Sequence, residues 1–538
     1  MAIPSLAKWD IPSRLSPYFS SRPATLFCFL LALLNKIMIA WIFTDLEGDK
    51  SLYLLFAQSI LDGHPPLEPT GAINGVPTYG YNQAVYSPLY TYLALPFLWA
   101  TKSFTATSFC LDVFSWTVFL SGMFRMSLLL SHQRSIANLL VLCAGFFLYP
   151  HELESPPKDT LAIGLMMWNV YFFCQFVKHG PVTRYSILLV AGIISLSMIK
   201  FLYLPVALLF AIMPVFYALY KWSKTHLLHA LSILAACLVY AFLFQYWIGH
   251  LRSFKSPFQL TAQVNEFVSG FYPENLLKTF PFISASLINT NFWGVQLQDI
   301  FKLEPASITM LFQMIDLLLL VGLVLLVRRI MRREPVVLRS GVMVACLILG
   351  MLFYMSARYE SLDYQGLSST WTYVQDARSF LFLIVFIQTI LFNFIFKGNT
   401  LFLSLRNFLL LMFLIECLHG GYFTMKQVMA SNRLKQEKSK GSPVKRITTL
   451  VLQAKEESGN TVTISTPDHH LRRYAFLQGI TVNQFQGTAC LPGQPPYPVL
   501  FAVYESDSSI LQCSEGRQLA SDQIRPFILQ FYEGSNKK

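Results

Sequence analysis

Apolar residues along this chain gather in unbroken runs rather than in alternation. Eleven such runs, near 23–43, 104–130, 135–150, 159–177, 184–199, 202–220, 226–248, 307–327, 340–356, 379–396 and 400–418, carry few charges. A helix rising ~1.5 Å per residue needs about 20 residues to cross a hydrocarbon core of ~30 Å. The pattern predicts an all-α polytopic membrane protein with about 11 transmembrane helices. The run Tyr86–Ala100 stands apart, because it is short and contains Pro88 and Pro96. It is expected to lie on or dip into the membrane surface without spanning it.

The first run ends at Phe43 and delivers Asp45, Glu47 and Asp49 to the water–lipid boundary. After them Leu52, Phe56 and Ile60 share one helical face and Tyr53, Ala57 and Leu61 the next, with Gly63 and Pro65 as a stop. This predicts an amphipathic helix along the interface, its acidic N-terminus favoured by the helix dipole. At the other end of the chain, a basic linker covers 426–445. Beyond it, 446–538 alternates helical and strand-like pieces: helices over 446–457 and 468–478, strands over 460–465 and 499–504. A small C-terminal α/β domain is expected there, with 1–425 as the transmembrane module and 44–103 as its acidic first loop.

Charge adds sidedness. With the N-terminus in the cytoplasm, alternate connections hold sixteen cations, from Lys8 to the cluster Arg328, Arg329, Arg332, Arg333 and on to Arg406, against only Asp10 and Glu334. That asymmetry follows the positive-inside rule and places the acidic loops and the C-terminal domain outside the cytoplasm. It also accounts for the net charge of +12 in a chain that is 54% hydrophobic and 13% charged, so nucleic acid is not an expected partner. The expected location is a plasma or inner membrane. Of nine cysteines, seven lie in or beside apolar runs and are read as small hydrophobes. Cys490 and Cys513 stand alone in the tail, either bridged or free.

Acidic loops gathered on one side suit a reaction in which a lipid-borne phosphate departs while a nucleophile loses a proton to a carboxylate. The first loop offers Asp49 with Asp45 and Glu47. The second offers Glu152, Glu154 and Asp159, the last following Pro156-Pro157-Lys158 at the head of a span; a plain helix N-cap is the other reading of Asp159. Two cations are placed to hold phosphate. Lys200 lies between two apolar runs, where it could also snorkel, and Arg378 heads a late span, where it could also pair with Asp376. His151 beside Glu152 and Glu154 has ligand chemistry for a divalent metal ion, at a spacing that matches no specific motif. No cofactor is required by the sequence, which has no phosphate-cradling glycine loop, nucleophile elbow or dinucleotide fingerprint.

These residues resemble the GT-C superfamily of membrane glycosyltransferases, which use polyprenyl-phosphate sugars and include the protein O-mannosyltransferases and the aminoarabinose transferase of lipid A. Gly48-Asp49, Tyr53, Ala57 and Gly63 are similar to the family's first-loop pattern, and Asp49 falls on its catalytic carboxylate. Pro157-Lys158-Asp159 resembles the second acidic loop, and Lys200 and Arg378 fall where members place phosphate-binding cations. Lys50 departs from the family's usual Glu, Tyr86-Ser87-Pro88 from its Lys-Pro, and Arg378-Ser379 from its Arg-Tyr. The resemblance implies an inverting glycosyltransferase with a polyprenyl-phosphate-linked sugar donor and a glycan, lipid or protein acceptor. In it Asp49 and Asp159 form the catalytic pair, with Asp49 the base. Glu47, Glu154, Lys200 and Arg378 bind substrate, and Tyr81 and Tyr86 stack on sugar. The competing expectation is a transporter or channel without covalent chemistry, although no internal repeat of the kind common in transporters is visible.

Overall fold

The structure is a computed structural model of the full chain. It describes residues 16–43, 46, 49–64, 66, 68–73, 76–80, 88–149, 158–199, 203–251, 290–358, 385–390, 392, 403–430, 443–458, 463–466, 468–483, 499–504, 517–519 and 527–532. In chain order the first elements are α1 (Arg22–Phe43), α2 (Asp49–Leu61), β1 (Glu68–Ile73), β2 (Val76–Gly80) and α3 (Pro88–Thr101). Long helices follow: α4 (Phe104–Ser131), α5 (Arg134–Phe146), α6 (Lys158–His179), α7 (Thr183–Ile199), α8 (Leu204–Lys221) and α9 (Lys224–Leu251). Then come α10 (Thr290–Phe301), α11 (Pro305–Arg333), α12 (Val336–Arg358) and α13 (Leu403–Met429). The last part holds α14 (Pro443–Ser458), β3 (Thr463–Ser465), α15 (His469–Leu477), β4 (Val482–Asn483), β5 (Val499–Tyr504), β6 (Arg517–Leu519) and β7 (Phe527–Tyr532).

Two compact units emerge, one of residues 1–41 with 112–426 and one of residues 42–111 with 427–538. Among the described residues of the whole chain, α1, α4, α6, α8, α9, α11 and α13 are long and apolar enough to cross a bilayer. α5, α7 and the first part of α12 are shorter apolar helices. Ten of the eleven expected runs are thus helices; the run at 379–396 falls mostly outside the described residues, with 385–390 helical. α1 shows why such helices want lipid. Phe27, Leu30, Leu34, Met38 and Trp41 form an exposed stripe, while Cys28, Ala32, Lys36 and Ile39 face inward. Cys346 is exposed on α12, so it is not the core hydrophobe expected of it.

α5 ends at Phe146, earlier than the apolar run to 150 suggests, and the chain turns extended at Phe147 (φ −68°, ψ 129°). Inside a membrane the last carbonyls of such a helix need donors, because lipid supplies none. α1 supplies them: Asn35 Nδ2 donates to Gly145 O at 2.9 Å and Lys36 Nζ to Phe147 O at 2.6 Å. The approach is close enough that a Cβ on Gly145 would collide with Ala32, so a small residue is required there.

The second unit is built on one seven-stranded sheet, in the order β2-β1-β4-β3-β5-β7-β6. β1, β4, β3 and β5 run parallel; β2, β7 and β6 are antiparallel to their neighbours. α14 and α15 cover it over a core of Ile447, Val451, Ile464, Leu471, Ala475, Ile480 and Val482. Asp468 caps α15, its Oδ1 accepting from Leu471 N–H at 2.6 Å. The β1–β2 hairpin comes from the first loop and joins the C-terminal strands through the pair Ala72↔Asn483. The expected α/β domain is therefore completed by chain from 370 residues upstream of its own helices, which relieves the difficulty of a core that small standing alone.

α2 belongs to this unit too. Every residue from Ser51 to Ala57 is buried, and the helix packs on α3, β1 and α15. The expected helix lying half-exposed along the interface is instead a core helix, because Leu52 to Ala57 is apolar all round and no polar face is available to water. Tyr53 meets Tyr90 of α3 edge-on, ring centroids 5.4 Å apart. The helix stops at Gly63 (φ +83°), as expected, with His64 N–H closing back on Ser59 O. α3 has 14 residues, too few to span, and packs against α2.

Candidate active site

Asp159 lies in the first turn of α6, the most enclosed of the seven long helices. Its side chain is 0% exposed. A carboxylate can be held there for two local reasons: the helix N-terminus carries partial positive charge, and a donor from another helix reaches it. That donor is Tyr203, 1% exposed at the N-cap position of α8, whose Oη–H donates to Asp159 Oδ1 at 3.1 Å. Pro205 in the first turn of α8 fixes the entry of that helix and so the tyrosine ahead of it. Both residues make further contacts, so Asp159 sits in a network and not in a single bond. Of the two sequence readings, a plain N-cap and a functional carboxylate, neither is contradicted, since the first turn of α6 holds a buried acid that has a side-chain partner as well.

The chain entering that turn is also held at its other end, by a group the sequence reading passed over. Lys36, in the middle of α1, is 0% exposed. Besides its bond to Phe147 O, its Nζ stands 4.7 Å from the Trp116 ring centroid and 5.0 Å from that of Tyr149. Tyr149 packs on Phe119 at 5.5 Å and Phe147 at 5.0 Å, and its hydroxyl donates to Gln388 Oε1 at 2.6 Å. The aromatic faces replace part of the hydration an ammonium loses on burial. The available signal was a lone lysine inside an apolar run, which marks a functional or strongly partnered group by default. The same signal picks out Glu416, 1% exposed in α13, which accepts a hydrogen bond from Trp293 Nε1 and has His419 Nδ1 3.7 Å away.

Asp49 is the first residue of α2 and belongs to the second unit, whereas Asp159 belongs to the first. Glu47, Tyr81, Tyr86, Glu154, Lys200 and Arg378 lie outside the described residues, as do Asp45, His151, Glu152, Cys490 and Cys513. The metal reading at His151 thus falls outside as well. Among the described residues no three His, Cys, Asp or Glu side chains are grouped to hold a metal ion.

No protein-family model matches the chain, and no curated protein matches it in sequence. Its fold does match. ArnT from Cupriavidus metallidurans bound to undecaprenyl phosphate superposes with a TM-score of 0.51 at 10% identity, over 94% of this chain and 97% of that one. The apo state of the same protein gives 0.47 at 10% identity, over 95% and 98%. The first match extends over nearly the whole of both chains. The chain therefore shares its fold with that protein, and the seven long apolar helices among its described residues are those of a chain able to cross a membrane several times.

Proposed function

We propose that this protein is an inverting glycosyltransferase that moves a sugar from a polyprenyl-phosphate donor to an acceptor on the extracytoplasmic side of the membrane. The acceptor hydroxyl or amine attacks the anomeric carbon and yields its proton to Asp49. The bond from that carbon to the phosphate oxygen breaks, and polyprenyl phosphate leaves with the electron pair. Lys200 and Arg378 hold the departing phosphate, Asp159 and Glu154 orient the acceptor or a metal ion, Glu47 assists at the first loop, and Tyr81 and Tyr86 stack on the sugar.

The observation that carries the reading is a buried carboxylate at the head of an enclosed span, Asp159, joined to the segment that follows Lys200. Lys200 precedes Tyr203 by three residues in the sequence. On this proposal Lys200 serves the phosphate and Asp159 the acceptor, two roles that group transfer from a lipid phosphate needs close together. The shared fold supports the lipid class, since the matching ArnT structure contains undecaprenyl phosphate.

The test is Asp49→Asn in the purified chain, supplied with a polyprenyl-phosphate sugar and a candidate acceptor. Release of polyprenyl phosphate is expected to fall by about 10²–10⁴-fold, the usual contribution of a positioned general base, while donor binding is retained. Full turnover in that variant removes the assignment. Solute counter-flow without lipid turnover in the native protein favours the transporter.

A further inference from the structure

The helix ends opposite Asp159 within the first unit carry a second feature, which stands independently of the proposed reaction. α1 and α5 begin there and α4 ends there, and their side chains, with Trp168 of α6, line an open cavity of about 460 Å³. Arg22, Arg125 and Arg134 line it, each from a different helix, together with the apolar side chains of Leu26, Phe29 and Leu128. A second cavity of about 340 Å³ shares Arg125 and Leu128 with the first and adds Lys178 and Tyr171. Among the described residues, none of these three arginines forms an ion pair with a carboxylate.

Arg125 is held rather than loose. Its guanidinium carbon lies 6.0 Å from the Trp168 ring centroid and 5.9 Å from that of Tyr171, and Trp168 Nε1–H donates to Ser121 Oγ at 3.2 Å. Stacking of this kind orients the guanidinium fork while leaving its N–H groups free to bind an anion. α5 begins at Arg134 without a side-chain cap from Gln133, so the positive end of its dipole lies at the same cavity edge. Away from the arginines, Leu26 continues into Leu30 and Leu34, an exposed apolar stripe along α1.

An anion with a hydrocarbon tail fits both halves of this arrangement, and neither half alone accounts for the other. We infer that this cavity is a binding site for an anionic glycerophospholipid, its phosphate between Arg22, Arg125 and Arg134 and an acyl chain along Leu26, Leu30 and Leu34. Three cations that form no ion pair among the described residues, set around one concavity, suit a headgroup that carries net negative charge, because a zwitterionic headgroup would bring its own ammonium into the same space. The apolar stripe that continues from the arginines gives a lipid-borne anion a place for its chain, which a free anion would not use.

The experiment is native mass spectrometry of the full chain in detergent, titrated with phosphatidylglycerol and with phosphatidylcholine of the same acyl chains. The native protein is expected to bind the anionic lipid at least roughly tenfold more tightly, and Arg125→Gln with Arg134→Gln to erase that preference. Lys224→Gln, an exposed cation on α9 outside the cavity, keeps it. If the double variant does not purify, Arg22→Gln and Arg134→Gln taken singly carry the same test. Equal binding of the two lipids by the native protein overturns the inference, as does an undiminished preference in the arginine variants. Displacement of phosphatidylglycerol by millimolar inorganic phosphate overturns the lipid assignment in favour of a simple anion site.

Discussion

Tyr203→Phe isolates the contact on which the candidate site turns. The substitution keeps the ring and removes one oxygen, so no cavity opens, and what is lost is the hydrogen bond to Asp159 Oδ1. Both partners are shut away from water, so none can replace the donor. Leaving a buried polar partner unsatisfied costs about 1–3 kcal/mol. At 3.1 Å this one is longer than the ~2.7–2.8 Å typical of O–H···O bonds, so the lower end applies and the expected loss is about 1–2 kcal/mol. Because Asp159 and Tyr203 have other contacts, the clean measurement is a double-mutant cycle with Asp159→Ala, which removes the acceptor and in which those other contacts cancel. Equilibrium unfolding by SDS in mixed micelles gives the four stabilities without any knowledge of substrate. A coupling energy below about 0.3 kcal/mol, within the ordinary error of additivity, would refute the claim that Tyr203 holds the carboxylate.

Two other outcomes are expected. Lys36→Met leaves the Phe147 carbonyl without its donor in a lipid-embedded position, and should lower stability in the same unfolding assay by about 1–3 kcal/mol; a variant as stable as the native chain would make the lysine dispensable to the end of α5. Single cysteines at 49, 100 and 330, in a chain otherwise without accessible thiols, should react with an impermeant reagent from one side for the first two and from the other for the third. Modification of positions 49 and 100 from opposite sides would make α3 a span and reverse every later connection.

The spans were legible because length and apolarity are properties of a run and survive without tertiary context. α3 was legible as a non-spanning helix for the same reason, since its 14 residues and internal Pro96 fall short of a bilayer. What the sequence concealed is what other segments decide. α5 stops at Phe146 because Asn35 and Lys36 of α1 accommodate its carbonyls, and nothing within 135–150 announces that. The β1–β2 hairpin had a local signal, Ile73-Asn74-Gly75-Val76, the two-residue turn that favours hairpins; the Gly- and Pro-rich surroundings masked it. Its partner strand lies some 410 residues away, which no local pattern encodes. At the site, Asp159 was legible from Pro-Pro-Lys-Asp ahead of an apolar run, whereas Lys36 was not, since one charge in 21 residues hardly changes the hydropathy of a span.

The two buried anchors bear on how substitutions in the second acidic loop should be read. Tyr149 closes the apolar segment before the loop and is bonded to Gln388; Asp159 opens the helix after it and is bonded to Tyr203. Polar contacts in a lipid-embedded interior are costly to leave unmade, so each anchor resists displacement independently of the other. Glu154 stands five residues from either anchor in the sequence. An alanine at 159 removes a carboxylate and also takes away the acceptor of the Tyr203 hydroxyl. A loss of function at 159 speaks to chemistry only when the asparagine variant, which preserves the acceptor for Tyr203, shows the same loss.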